Sequence, residues 1–158
     1  MSGLLRFGAV ALFLAASAPA FAGCNKPGNS GEIAKQMVEM TNQFRRQQGL
    51  NQVKMSQALT KAAANYACEL ASTGNFSHTG RNGSNVKTRV TNAGYGRACM
   101  IAENLAWGYE GTQVVMTGWE NSSKHRANLT HRKAKEVGIA VAYNGDTPYW
   151  VMVLASKC

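Results

Sequence analysis

A chain of 158 residues with 45% apolar side chains fits one domain by length and can bury roughly two thirds of its unfolded surface, which excludes a chain too polar to fold. Seventeen Lys and Arg against eight Asp and Glu give a net charge of +9, which favours anionic over cationic partners. Three histidines, one aspartate and seven glutamates leave few titratable groups for catalysis.

The first 22 residues read as a cleavable signal peptide. Arg6 supplies a basic start, Phe7 to Ala16 a short apolar centre, and Ala20-Phe21-Ala22 an exit of the A-x-A kind. About ten apolar residues fall short of the roughly 20 that a membrane-spanning helix needs. Cleavage after Ala22 removes Arg6, and the net charge falls from +9 to +8. Phe21-Ala22-Gly23-Cys24 also resembles a bacterial lipoprotein processing site, which would anchor the chain through Cys24; Phe suits that site poorly. Secretion to the medium or periplasm is the expectation. The four cysteines, Cys24, Cys68, Cys99 and Cys158, then predict two disulfides. Of the three pairings, Cys68–Cys99 with Cys24–Cys158 tying the two ends is the one expected.

Residues 23–36 form a polar lead-in and the start of a first helix, and 37–158 form the domain. From Glu32 to Gln48, Ile33, Met37, Met40 and Phe44 recur at helical spacing until Gly49. Ser56 is placed to cap a second helix whose stripe is Leu59, Ala62, Ala63, Tyr66, Ala67 and Leu70, with Gly74 as terminator. Residues 74–85 read as a loop holding Phe76-Ser77-His78-Thr79-Gly80, and a short helix follows over 85–93. Ile101 to Trp107 reads as a buried strand. Thr112 is placed to cap a helix through Trp119, with Val114, Val115 and Trp119 inward. Val137, Ile139, Val141 and Tyr143 alternate, Asn144-Gly145-Asp146 turns, and Tyr149 to Leu154 returns as a β-hairpin.

Metalloprotease, nucleophile-elbow, phosphate-loop and dinucleotide motifs are absent. The basic residues are scattered, with knots at Arg45-Arg46 and Arg132-Lys133-Lys135. Nothing interleaves them with aromatics, which argues against nucleic acid. Three residues stand out by context: His78 in a Gly-flanked loop, Glu103 inside the apolar run Ile101-Ala102-Glu103-Asn104-Leu105-Ala106, and His125 after Trp119-Glu120-Asn121-Ser122-Ser123-Lys124. A carboxylate in an apolar run is costly unless something pairs with it.

Taken in order, these segments resemble the CAP superfamily, the SCP-like domain of cysteine-rich secretory proteins, venom antigens and pathogenesis-related proteins. Thr41-Asn42-Gln43-Phe44-Arg45 is similar to the opening helix, and Phe76-Ser77-His78-Thr79-Gly80 to the loop with the first cleft histidine. Ala102-Glu103-Asn104-Leu105-Ala106 is similar to the GEN[IL]A box. Gly118-Trp119 through His125-Arg126-Ala127-Asn128-Leu129 is similar to the short bacterial form, and Val137-Gly138-Ile139 and Tyr149-Trp150-Val151 to the closing strands.

The resemblance implies an α+β fold, an α-β-α sandwich with a small antiparallel sheet between helices. It implies a cleft of two histidines and two glutamates, of which His78, Glu103 and His125 are present. The second glutamate falls on Ser122, and Glu120 lies roughly 200° around a helix from it, so it does not substitute. Two imidazoles and a carboxylate could hold a zinc ion. The other reading is a metal-free cluster with Asn104 and Ser122 as hydrogen-bonding neighbours. The expected function is a secreted, monomeric binding module for an apolar small molecule or an anionic envelope component. The alternative is a metal-assisted peptidase or esterase using His78, Glu103 and His125.

Overall fold

The computed structural model describes residues 24–158. The signal peptide expected over 1–22 lies outside the described residues. Helix α1 (Ser30–Gln47) starts two residues before the expected Glu32 and buries Met37, Val38 and Phe44. A two-residue strand, β1 (Lys54–Met55), follows. Helix α2 (Gln57–Thr73) is capped as predicted: the Ser56 hydroxyl accepts from the Leu59 N–H, and Gly74 ends the helix at φ +65°, donating its N–H to the Leu70 carbonyl. Asn85 caps α3 (Val86–Asn92) by accepting from the Thr88 N–H at 3.0 Å.

Strand β2 (Ala98–Trp107) begins three residues earlier than Ile101 and runs as the edge of the sheet. Helices α4 (Thr112–Asn121) and α5 (Ser123–Leu129) come next, joined at Ser122, whose backbone is extended. Two details of α4 differ from expectation. Gly111, not Thr112, occupies the capping position, with no side chain to contribute. Val114 points to solvent, 53% exposed, because the buried stripe runs through Val115, Met116 and Trp119. Strands β3 (Glu136–Asn144) and β4 (Thr147–Lys157) form the predicted hairpin.

The sheet order is β1-β3-β4-β2, antiparallel except for the short β1–β3 pair. Side chains of a strand alternate between faces, and here each face has its own core. On one side Val137, Ile139, Val141, Trp150, Met152 and Leu154 pack with α1 and α4. On the other, Ala142, Val151, Val153 and Ala155 pack with the Ala-rich stripe of α2 and with Val90 of α3. This is an α-β-α sandwich. Among the described residues no helix is long and apolar enough to cross a membrane.

The disulfides are Cys24–Cys68 and Cys99–Cys158, not Cys68–Cys99 and Cys24–Cys158. Strand register explains the second bond. Ala98 pairs with Lys157 and Met100 with Ser156, so Cys99 is the extra residue of a bulge, and Cys158 donates its N–H to the Arg97 carbonyl at 3.1 Å beside it. The lead-in explains the first: Asn25 bridges Tyr143 at the end of β3, which lies under α2 and its Cys68.

Candidate functional site

Two neighbouring residues of β2 send their side chains to opposite faces, and that alternation builds the site. The Glu103 side chain, 3% exposed, turns toward α3. There the Arg89 Nη2 donates to both carboxylate oxygens, at 3.0 and 2.8 Å. The His78 Nδ1 lies 2.8 Å from Glu103 Oε1, and because a carboxylate only accepts, Nδ1 is the donor. Arg89 is held in turn. It donates to the Ser84 carbonyl at 2.8 Å and the His78 carbonyl at 3.2 Å, and its guanidinium stacks 3.4 Å from the Tyr66 ring centroid. The Tyr66 hydroxyl donates to the Ser77 carbonyl, and burial pushes its pKa up to about 12, which keeps it a donor. The loop bearing His78 is therefore pinned from three directions.

Asn104, fully buried, faces the other layer. Its Nδ2 donates to the His125 carbonyl at 3.1 Å, and its Oδ1 accepts from Asn128 Nδ2 at 2.8 Å. Asn128 also donates to the Glu103 carbonyl at 3.2 Å, and the Trp119 indole to the Leu105 carbonyl at 3.1 Å. These bonds dock α4 and α5 against the outer edge of β2 and satisfy backbone that would otherwise be open to another strand. His125 is thereby carried toward His78 around that edge. Its basicity is lowered, first by burial and second by the charge of His78, so the two imidazoles are near enough to repel when protonated.

Beside them lies a cavity of about 340 Å³, lined by Phe76, Leu105, Trp107, Tyr109, Trp119, Ser122 and His125 among others. Its rim is aromatic and wet: Phe76 is 46%, Trp107 55% and Tyr109 41% exposed. Tyr109 is fixed from two sides. Its carbonyl accepts from the Trp150 indole at 2.8 Å, and its ring lies against Gly118, where a Cβ would come within 2.7 Å. Ser122 lines the cavity where the resemblance places a second glutamate. Glu120 does not line it; its carboxyl is pushed up by burial, against the charge of Arg126.

The donor set does not fit a zinc ion on His78, Glu103 and His125. Both Glu103 oxygens already accept from Arg89, and among the described residues no three His, Cys, Asp or Glu side chains gather where they could hold a metal. Three contributors have no role that the sequence alone assigns: Arg89, Tyr66 and Asn128. The demand of a carboxylate in an apolar run for a partner is the one signal that points toward them.

Residues 38–154 match the profile of the CAP, or cysteine-rich secretory protein, family. The chain belongs to this family. Among relatives in Bacillus subtilis, YkwD is 25% identical over 120 residues, covering 76% of this CAP chain and 46% of YkwD. The membrane protein YlbC is 26% identical over 107 residues, covering 68% of this chain and 31% of YlbC. The chain thus spans less than half the length of either. An extracellular SCP-domain protein of Bacillus anthracis superposes with a TM-score of 0.75 at 20% identity, over 81% of this chain and 41% of its own. An outer surface protein of Borrelia burgdorferi does so at 0.77 and 20% identity, over 85% of this chain and 99% of its own. At these identities the likeness is one of fold.

Proposed function

We propose that this CAP domain is an exported binding module whose aromatic cavity takes an apolar small molecule, with a metal-free His78–Glu103–Arg89 cluster organising the adjoining wall. The carrying observation is an open aromatic cavity, lined by His125, next to a Glu103 carboxylate that Arg89 and His78 already engage. A volume of about 340 Å³ is in the range of small-ligand pockets, which combine apolar walls with a few placed polar groups; Ser122 and His125 supply those here. Export is supported by the apolar leader of residues 1–22 and by two disulfides, which persist in oxidising compartments. Relatives of extracellular and outer-surface origin agree with it.

A metal-assisted hydrolase on the same residues would need Glu103 as ligand or base, and Arg89 and His78 already engage that carboxylate. The test is a titration with a fluorescent fatty acid. Saturable one-to-one uptake is expected, weakened about tenfold by Phe76→Ala with Trp107→Ala, since losing buried aromatic contact costs on the order of 1.4 kcal/mol or more. Uptake indifferent to both changes would remove the cavity from the account. In parallel, calorimetric addition of Zn²⁺ should give no heat with wild type or His78→Ala. Chelator-sensitive ester turnover abolished by His125→Ala would restore the hydrolase.

A further inference from the structure

The basic knots that lie far apart in sequence are brought together by the fold. Arg45 itself is no surface charge. It is wholly buried, donating from Nε to the Asn51 carbonyl at 2.8 Å and from Nη1 to the carbonyls of Leu129 at 2.7 Å and His131 at 3.2 Å. It thus clamps the end of α1 to the end of α5 and to the turn beyond. Arg126 adds a second tie, reaching Gln48 Oε1 at 3.4 Å with its guanidinium 5.5 Å from the Phe44 ring centroid. The exposed cations Arg46, Arg126, Arg132 and Lys133 are therefore carried on the end of α1, on α5 and on the turn beyond it, segments that these bonds tie together.

From Asn121 to Lys135 the chain carries no carboxylate. None of the three ion pairs among the described residues involves these four cations. Glu120 partly offsets Arg126, and Glu39 shares a groove with Arg46 without pairing to it. Cations at helix C-termini offset the helix dipole, which accounts for Arg46 and Arg126. Arg132 and Lys133 lie beyond α5, and that explanation does not reach them.

We propose that this face binds a linear, phosphate-bearing polyanion that lacks bases. Arginine guanidinium suits phosphate, and charges spread over several segments suit a chain of them better than a single ion. A base-bearing polymer would need an exposed aromatic platform, and Phe44, the ring beside Arg126, is buried. A bilayer would need apolar anchors, and the exposed rings of Phe76, Trp107 and Tyr109 rim the cavity instead.

Long-chain inorganic polyphosphate is the probe, titrated against the mature chain by fluorescence anisotropy. Affinity should fall about tenfold or more between about 50 and 200 mM salt, as expected when several cations displace counterions. Arg132→Glu with Lys133→Glu should weaken binding about tenfold or more, and Lys61→Glu with Lys87→Glu, on α2 and α3 across the sheet, less than about twofold. Trp107→Ala should leave it unchanged. No binding, or equal losses from the two charge reversals, overturns the assignment. So does equal or tighter binding of an oligonucleotide or of phosphatidylglycerol vesicles. Both double variants change exposed residues, and matching thermal melts establish that both are folded.

Discussion

His125 shows how one residue ties the cleft to pH. Burial first, and the nearby charge of His78 second, lower its basicity below the ordinary 6.5, so the fold holds the neutral imidazole. Between the folded value and about 6.5 the unfolded chain binds more protons than the native one, so stability rises with pH across that window. The contribution is complete above about 6.5 and is lost as pH falls through the folded value. Melting temperature should therefore drop between about pH 7 and 5, and His125→Gln should flatten the drop; an unchanged profile in the variant would show that another group titrates. Residues such as His125, His78 and Glu103 were legible because short motifs surround them. Arg89 was not. Glu103 advertised the need for a cation, but the sequence offers seventeen Lys and Arg, and nothing in the spacing selects the one that α3 delivers. Ser122 was legible as a departure from the family pattern, yet its extended backbone at the α4–α5 joint appears only in the fold.

At the level of elements, apolar spacing revealed α1, α2 and the β3–β4 hairpin because each has one buried stripe or face long enough to repeat. Strand β1 has two residues and exists only through its parallel pairing with Glu136 and Val137, a contact that no local pattern encodes. The break between α4 and α5 was hidden too, since no Gly or Pro marks Ser122. Gly138 is the reverse case, recognisable as part of a motif but without a visible reason until α2 is placed. A Cβ there would lie 2.1 Å from the Leu59 carbonyl carbon and 2.2 Å from the Thr60 nitrogen, so α2 rests directly on β3 at its first turn. Backbone cannot move aside as a side chain end can. Gly138→Ala should cost about 3 kcal/mol or more, at the upper end for overpacking, read as a lowered urea midpoint. Gly31→Ala, with nothing within 4 Å, should cost nothing comparable. A neutral Gly138→Ala would mean that helix and sheet stand further apart.

For the molecule as a whole, the cystines act on the same polymer in two different ways. Both close long loops, with sequence separations of 44 and 59 residues, and the chain-entropy relation gives each a stabilising contribution of about 4 kcal/mol through the unfolded state. In the native state they differ. Cys99 and Cys158 join strands already registered from Ala98–Lys157 to Trp107–Tyr149, so the sheet stays aligned without them. Cys24 anchors a lead-in whose one other strand-like tie, among the described residues, is the Asn25–Tyr143 bridge. The sequence could not separate these roles, because it counts cysteines without placing the bulge or the bridge that bring each pair together. Cys99→Ser with Cys158→Ser should therefore lower the global unfolding free energy by about 4 kcal/mol while leaving native proteolysis unchanged. Cys24→Ser with Cys68→Ser should lower it less, because the segment before α1 detaches while the sandwich stays folded, and that segment should become a protease site in native buffer. Non-reducing peptide mapping should recover Cys24 with Cys68 and Cys99 with Cys158. Recovery of Cys68 with Cys99 instead would overturn both the pairing and the division of labour drawn from it.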